Sequence, residues 1–358
     1  MRERAGGSTP LAAESGCLLI ADVSGYTGYV VESPLAYAED VLADLAEVVA
    51  GRLGRLFRLN KREGDAVFAY ALAGELDGAT VLDALDDCYT AFHDRLEGIG
   101  HATSCSCSAC AKLPELDLKF CLHAGEFIRR RAGSGEELTG HDVILVHRLL
   151  KNDVARTFGT TGYALVTDAC TRALRLEPAA LGPEHREAHE HVGEVRAFVL
   201  DLAARRRETL GRRQVRVEPG EASFTLEVEL PVEPPVAWEY LTAPERRAAW
   251  TGLVVREETD GRRGTGTTVH CVDGRREIYE EILDWRPFSY FTESRTLTGS
   301  SRVVLTTELE PAYAGTRVVV RGAAPGGRLA RLRRVRALVR RLEEGHRRLA
   351  ALVAARTD

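Results

Sequence analysis

Asp22-Val23-Ser24-Gly25-Tyr26-Thr27 ends the apolar run Leu18-Leu19-Ile20-Ala21, and Lys61-Arg62-Glu63-Gly64-Asp65 joins the strand-like stretches 56–59 and 66–70. Each motif sets one acid beside a glycine turn at the end of a strand. In a hairpin arrangement Asp22 closes the first strand and Asp65 sits in the neighbouring turn, so both carboxylates reach one end of the sheet. Magnesium takes one or two carboxylates plus substrate phosphates rather than a full protein cage. Two ions held there would activate an attacking oxygen and stabilise a leaving one. The plain alternative is a pair of turn aspartates that satisfy backbone amides. Lys61 is one of four lysines among 44 arginines. In so lysine-poor a chain, a merely solvated position is expected to carry arginine.

Outward from these motifs, apolar spacing marks the elements. Residues 18–23 read as a buried strand. Ser33-Pro34 starts a helix with Leu35, Ala38, Leu42, Leu45 and Val49 along one face. A second amphipathic helix carries Val81, Leu82, Leu85, Tyr89, Phe92 and Leu96. Leu116, Leu118, Phe120 and Leu122 then alternate with polar residues, as in a half-buried strand. Strand, helix, two strands, helix, strand is the ferredoxin-like order. Periodicity stops in an arginine-rich stretch ending at Pro219-Gly220. We expect a disordered N-terminus at 1–15, a first domain at 16–202, a linker at 203–222 and a second domain at 223–356. The second opens on the alternating Phe224, Leu226, Val228 and Leu230 and passes a short helical region at 236–250. Strands follow at 267–272, 277–284, 302–309 and 316–321, with turn pairs Asp273-Gly274 and Ala314-Gly315. A long helix at about 328–355 closes it, with Leu332, Val335, Leu338, Val339, Leu342, Leu349 and Val353 along a face. Both domains are α+β.

The bulk composition agrees. A chain of 358 residues is long for one core, and a net charge of −5 gives no sign of nucleic-acid binding. Residues 1–15 lack an apolar signal region and no stretch reaches the length of a membrane span, so a cytoplasmic protein is expected. The arginine bias fits a GC-rich bacterial genome. Eight cysteines are then reduced thiols or metal ligands rather than disulfides. Cys105, Cys107 and Cys110 crowd into one polar loop, an insertion at 101–112. Such a cluster suits zinc with a fourth ligand, His101 being nearest and Cys88 or His93 the alternatives. An iron–sulfur cluster and a reduced loop without metal are the other readings.

The stretch from Cys17 to about Leu202 resembles a class III nucleotidyl cyclase homology domain. Residues 22–27 are similar to that family's first metal motif and residues 61–65 to its Lys-x-x-Gly-Asp hairpin. Lys119-Phe120-Cys121-Leu122-His123-Ala124-Gly125 and Gly162-Tyr163-Ala164-Leu165-Val166-Thr167-Asp168-Ala169 are similar to its later segments. The resemblance implies head-to-tail homodimers with interfacial sites. It also implies attack of a ribose 3′ oxygen on the α-phosphate with release of pyrophosphate. Asp22 and Asp65 would hold magnesium or manganese. Lys61 would recognise the base, and Glu137 would accept from an exocyclic amine, favouring ATP and cAMP. Arg148 would be the transition-state arginine. Ile144 departs from the pattern, standing in the place of the transition-state asparagine. Loss of such a donor costs about 2.7–4 kcal/mol, so turnover would need a substitute from His147, His141 or Asn152. A degenerate cyclase-like module for dimerisation or nucleotide sensing is the alternative.

Residues 223–356 resemble the START-like (polyketide cyclase/dehydrase, helix-grip) superfamily. The carrying pieces are Val228-Glu229-Leu230-Pro231, Pro235-Val236-Ala237-Trp238-Glu239-Tyr240-Leu241-Thr242, the stretch from Arg246 to Trp250, Glu281-Ile282-Leu283-Asp284-Trp285 and the last helix. That fold implies a hydrophobic small molecule, such as a sterol, fatty acid or polyketide, in an apolar cavity. Whether His270, Tyr279 and Glu281 face that cavity is left open. The arginines of the last helix suit snorkelling into water better than a membrane surface.

Overall fold

The computed structural model describes residues 12–102, 111–132, 135–189, 192–259, 262–273, 276–298, 301–324 and 328–357. They divide into two compact units. One comprises residues up to Leu76 with Ala91–Arg175 and Leu181–Ala203; the other comprises Asp77–Thr90, Leu176–Ala180 and the chain from Ala204.

The first unit is built on β1 (Glu14–Ser24). Cys17 to Ala21 is buried without interruption, because β1 is paired on both edges and covered on both faces. A short helix α1 (Tyr26–Glu32) and a long one, α2 (Leu35–Leu53), follow. Pro34 precedes α2 as its cap rather than lying inside it. Then come β2 (Arg58–Glu63), β3 (Ala66–Leu72), α3 (Gly78–Ala102) and β4 (Asp117–Ala132). The ferredoxin-like order expected from the sequence is present. The chain continues through β5 (Gly135–Thr139), α4 (His141–Arg148), α5 (Val154–Phe158), β6 (Tyr163–Thr167), α6 (Asp168–Ala173) and β7 (Glu184–His189). With β8 (Gly193–Asp201), the strands order as β2-β3-β1-β4-β6-β8-β7, and β5 pairs with β4. Leu18, Ile20, Phe68 and Cys121 pack beneath Val143, Val146 and Leu149 of α4 and its end.

Residues 203–211, expected to lie in a linker, belong to helix α7 (Leu202–Gly211). Arginine and leucine are good helix formers, and Arg205 forks onto Asp86 at 2.8 and 3.0 Å. The rest of the second unit is β9 (Phe224–Leu230), α8 (Pro234–Thr242), α9 (Pro244–Thr251), β10 (Val254–Glu258), β11 (Thr268–Asp273), β12 (Arg276–Arg286), β13 (Tyr290–Thr298), β14 (Ser301–Ala312), β15 (Gly315–Ala323) and α10 (Arg328–Thr357). Its seven strands form an antiparallel sheet in the order β10-β11-β12-β13-β14-β15-β9. Val335 and Leu338 of α10 pack on Val303, Leu305 and Ala324, and Leu342, Leu349 and Val353 continue the buried stripe at helical spacing. Trp238 is fully buried against Trp285, Phe288 and Phe291, and its indole N–H donates to Asp83 at 2.9 Å. No described helix is long and apolar enough to cross a membrane.

Candidate functional site

Two glycines set the acidic pair. Glu63 pairs with Ala66, so Gly64-Asp65 is a two-residue hairpin loop, and Gly64 takes the left-handed conformation (φ +62°) that such loops require. Gly25, with φ +84°, turns the chain out of β1 into α1. A Cβ there would lie 2.7 Å from the Glu115 carbonyl oxygen. Asp22 stands opposite Ala66 on one side and Lys119 on the other, which brings Asp22 beside Asp65. Lys119 Nζ lies 3.0 Å from Asp22 Oδ2 and donates to the Leu150 carbonyl at 3.3 Å. Burial pushes the Asp65 carboxyl above the ordinary carboxylate range and the charge of Asp22 pushes it further, while Lys119 pulls the other way. Two carboxylates facing one ammonium leave negative charge uncompensated in a half-buried place, a balance that suits a divalent cation.

That strain has a testable sign. A carboxyl whose folded pKa is raised gives stability that is present below its unfolded pKa and lost as pH rises through the folded value. Asp65→Asn is therefore expected to raise the melting temperature of the metal-free chain at neutral pH and to change it little at pH 3. Calorimetry showing no gain at neutral pH contradicts this.

Lys61 lies on β2, its ammonium paired with Glu63, whose other oxygen is 3.2 Å from His147 Nε2. The hydrogen bond from Lys61 holds the Glu63 carboxyl below its ordinary range despite some burial, and His147 adds to the effect. His147 Nδ1 donates to the Val143 carbonyl at 2.7 Å, and its ring meets Phe68 edge-on. Glu63 was not singled out from the sequence, although it lies inside the quoted hairpin motif. Asn60 Nδ2 donates to the Glu136 carbonyl at 2.9 Å and ties β2 to β5, so Lys61 and Glu137 each follow a bonded residue by one position. Glu136 is engaged, taking the Tyr70 hydroxyl at 2.6 Å. Glu137 is exposed on β5.

Helix α4 carries the remaining positions. Arg148 is half-buried, whereas Ile144, one turn earlier, is 55% exposed between the buried Val143 and Leu145. Two of the three candidate replacement donors are occupied. Asn152 donates to the Leu149 carbonyl at 2.6 Å and accepts from Tyr163 at 2.8 Å, and His147 is held by Glu63 and Val143. His141 is exposed, 3.4 Å from Asp142. Asp142, also unremarked in the sequence, accepts from the Glu126 amide at 2.7 Å and meets His123 at 3.3 Å. Gly125 makes room for it, since a Cβ there would lie 2.2 Å from Asp142 Oδ2. The structure thus gathers Asp22, Asp65 and Lys119 in one group, and Lys61, Glu63, Glu137 and His147 around β2 and β5 in another. Cys105, Cys107 and Cys110 lie outside the described residues; His101, at the end of α3, is exposed.

The second unit holds a partly open cavity of about 30 Å³ lined by Leu241, Trp250, Phe291, Leu305, Val320 and Leu342, with a charged wall of Arg247, Glu293 and Arg295. The lining is mostly apolar, as expected from the sequence, but the cavity is small and one part of it is charged. Glu280 accepts from Arg247 at 2.7 Å and pairs with Arg295 at 2.9 Å, and Arg295 reaches Glu293 at 2.6 Å. Burial alone would raise the Glu280 carboxyl, but Arg247 and Arg295 hold it below its ordinary range. Burial pushes Glu293 up and keeps His346 down. Arg295 Nε is buried without a hydrogen-bond partner. His270 and Tyr279 stack at 4.5 Å, Tyr279 is 44% exposed and Glu281 points to solvent, so none of these lines the cavity.

Comparison with known proteins divides the chain likewise. Residues 42–157 match a family described as a protein of unknown function (DUF2652). Residues 221–354 match the family described as polyketide cyclase / dehydrase and lipid transport. The uncharacterized protein Rv2561/Rv2562 of Mycobacterium tuberculosis is 34% identical over 146 residues, covering 41% of this chain and 66% of that protein. Among solved structures, the guanylyl cyclase Cya2 is 12% identical over 53% of this chain and 93% of its own (TM-score 0.41). The adenylyl cyclase CyaB from P. aeruginosa is 13% identical over 57% and 98% (TM-score 0.40). Protein MLL2253 from Mesorhizobium loti is 18% identical over 38% and 98% (TM-score 0.31). The chain thus joins a stretch, residues 42–157, that matches a family of unknown function to a stretch, residues 221–354, that matches the polyketide cyclase/dehydrase and lipid-transport family.

Proposed function

We propose that the first unit binds a purine nucleoside triphosphate with magnesium or manganese between two copies of the chain, and that a small molecule in the second unit governs this event. The observation that carries the reading is the Asp22–Asp65 pair, held side by side with charge to spare. Asp22 and Asp65 would hold the metal, which supplies a Lewis acid for phosphoryl oxygens. Lys119 would release Asp22 toward it while keeping the Leu150 carbonyl. In a head-to-tail dimer the partner copy brings Lys61 and Glu137 to the base and Arg148 to the phosphate. The Glu137 carboxylate accepts an amine hydrogen, which favours adenine. Arg148 stabilises negative charge that grows at the α-phosphate.

Nucleotide sensing without turnover is the second reading, favoured by the exposed Ile144 and the occupied Asn152 and His147. For the second unit, the charged wall and the open Arg295 Nε favour an amphipathic ligand with an acceptor head over a plain hydrocarbon. The cavity holds about one water, so any larger ligand must open it.

The test is thermal unfolding with ATP or GTP, with and without Mg²⁺ or Mn²⁺, alongside an assay for cyclic product. At a hundredfold excess over the dissociation constant, binding is expected to add about 2.7 kcal/mol. This gain should require metal and vanish in Asp65→Ala. If a product forms, mixing Asp65→Ala with Lys61→Ala chains should restore activity that neither has alone. No stabilisation by any nucleotide–metal pair overturns the reading.

A further inference from the structure

We propose that Asp153, His185 and Glu187, with His189 beside them, form a site for zinc or a neighbouring first-row divalent ion, separate from the Asp22–Asp65 pair. His185, Glu187 and His189 occupy alternate positions of β7, and side chains two apart on a strand share a face. Asp153 approaches from another direction, as the residue that precedes α5. One ligand atom from each of Asp153, His185 and Glu187 lies within 4.8 Å of the others. β7 is the edge strand beyond β8, whereas Asp22 and Asp65 belong to β1 and the β2–β3 turn.

The rival explanation is a self-sufficient hydrogen-bond network, and part of the cluster obeys it. His185 Nε2 and the Asp153 amide both meet Glu187 Oε1 at 2.8 Å, and Arg156 pairs with Asp153 Oδ2. Two observations remain outside it. A ring nitrogen carries one hydrogen at most, yet His185 Nε2 faces a second carboxylate oxygen, Asp153 Oδ1, at 3.4 Å. The Nε2 atom of His189 is buried and has no hydrogen-bond partner. A cation shared by Asp153, His185 and Glu187 answers the first, and His189, on the same face of β7 but outside that group of atoms, would turn to complete the shell. Zinc–ligand bonds of about 2.0–2.1 Å put the corners of a tetrahedron roughly 3.3–3.4 Å apart, close to the 2.8 and 3.4 Å found around His185 Nε2. His185 is 7% exposed and its ring is set against Phe158 at 5.7 Å, so the central donor is pre-positioned. One imidazole with two carboxylates, and a second imidazole within a turn of the side chain, suit zinc, manganese or cobalt rather than magnesium or calcium.

The experiment uses the full chain with Cys105, Cys107 and Cys110 replaced by serine, which removes the competing thiolates. After chelator treatment it is titrated with Zn²⁺ and separately with Co²⁺ by calorimetry and visible absorption. The expected result is one equivalent bound, with affinity reduced at least about tenfold in Glu187→Gln, His185→Gln and His189→Gln and unchanged in Asp65→Ala. His189→Gln removes an atom that bonds to nothing, so it is the variant least able to act through misfolding, and circular dichroism checks this. A parent chain that binds no metal at this site, or His189→Gln and His185→Gln chains that bind as tightly as the parent, overturns the proposal.

Discussion

If the first unit turns over as proposed, replacing Ile144 by asparagine is expected to raise the rate of cyclic-nucleotide formation by about 10²–10³-fold. This is the inverse of what removing one preorganised polar contact to a transition state costs. Ile144 sits on the exposed face of α4, while its neighbours Val143 and Leu145 are buried. An asparagine there leaves no cavity and buries no polar group, so its effect on stability is within about 0.5 kcal/mol. The gain should disappear when Arg148→Ala is added, because both groups then act on the same charge. Initial rates with Mn²⁺ and ATP, measured by chromatography of the product, decide the matter. An unchanged rate in Ile144→Asn leaves the first unit as a sensor without turnover.

The second large effect belongs to the charged wall of the second unit. Glu280 is 1% exposed and sits between Arg247 and Arg295. Removing it leaves two buried guanidiniums with Glu293, whose carboxyl burial pushes toward the neutral form, as the remaining counter-charge. Breaking a buried pair in this way costs about 3–5 kcal/mol. Glu280→Ala is therefore expected to lower the unfolding free energy of the second unit by that much, as read from a urea titration. A double change, Arg247→Met with Glu280→Leu, should recover most of it by replacing the pair with packed apolar groups. If Glu280→Ala alone is nearly neutral, the quartet contributes little and the wall is open to solvent.

How far the sequence carried depended on which forces shaped each element. Central β1 was legible because a strand buried on both faces must be apolar throughout, as Leu18-Leu19-Ile20-Ala21 is. Helix α10 was legible because its buried stripe recurs at helical spacing. Strand β13 was missed for the opposite reason: its inward positions Glu293 and Arg295 are charged. An ion-paired core erases the alternation that marks a strand. Edge strand β10, Val254–Glu258, offers no buried face to pattern. Helix α7 was hidden in an arginine-rich stretch because its partner, Asp86, lies far away in sequence. At the candidate site, the motifs named Asp22, Asp65, Lys61 and Arg148. They did not reveal that Lys119 and Glu63 already engage Asp22 and Lys61, since pairings across strands depend on register.

The most direct measurement is binding of Mn²⁺ followed by electron paramagnetic resonance, with and without a non-hydrolysable ATP analogue. It compares the parent chain with Asp22→Asn and Asp65→Asn, all carrying His185→Gln to silence the edge-strand cluster. The expected result is nucleotide-enhanced Mn²⁺ binding in the parent that falls to background in both aspartate variants. Binding that persists undiminished when either carboxylate is removed would contradict the reading of these two acids as one cation site.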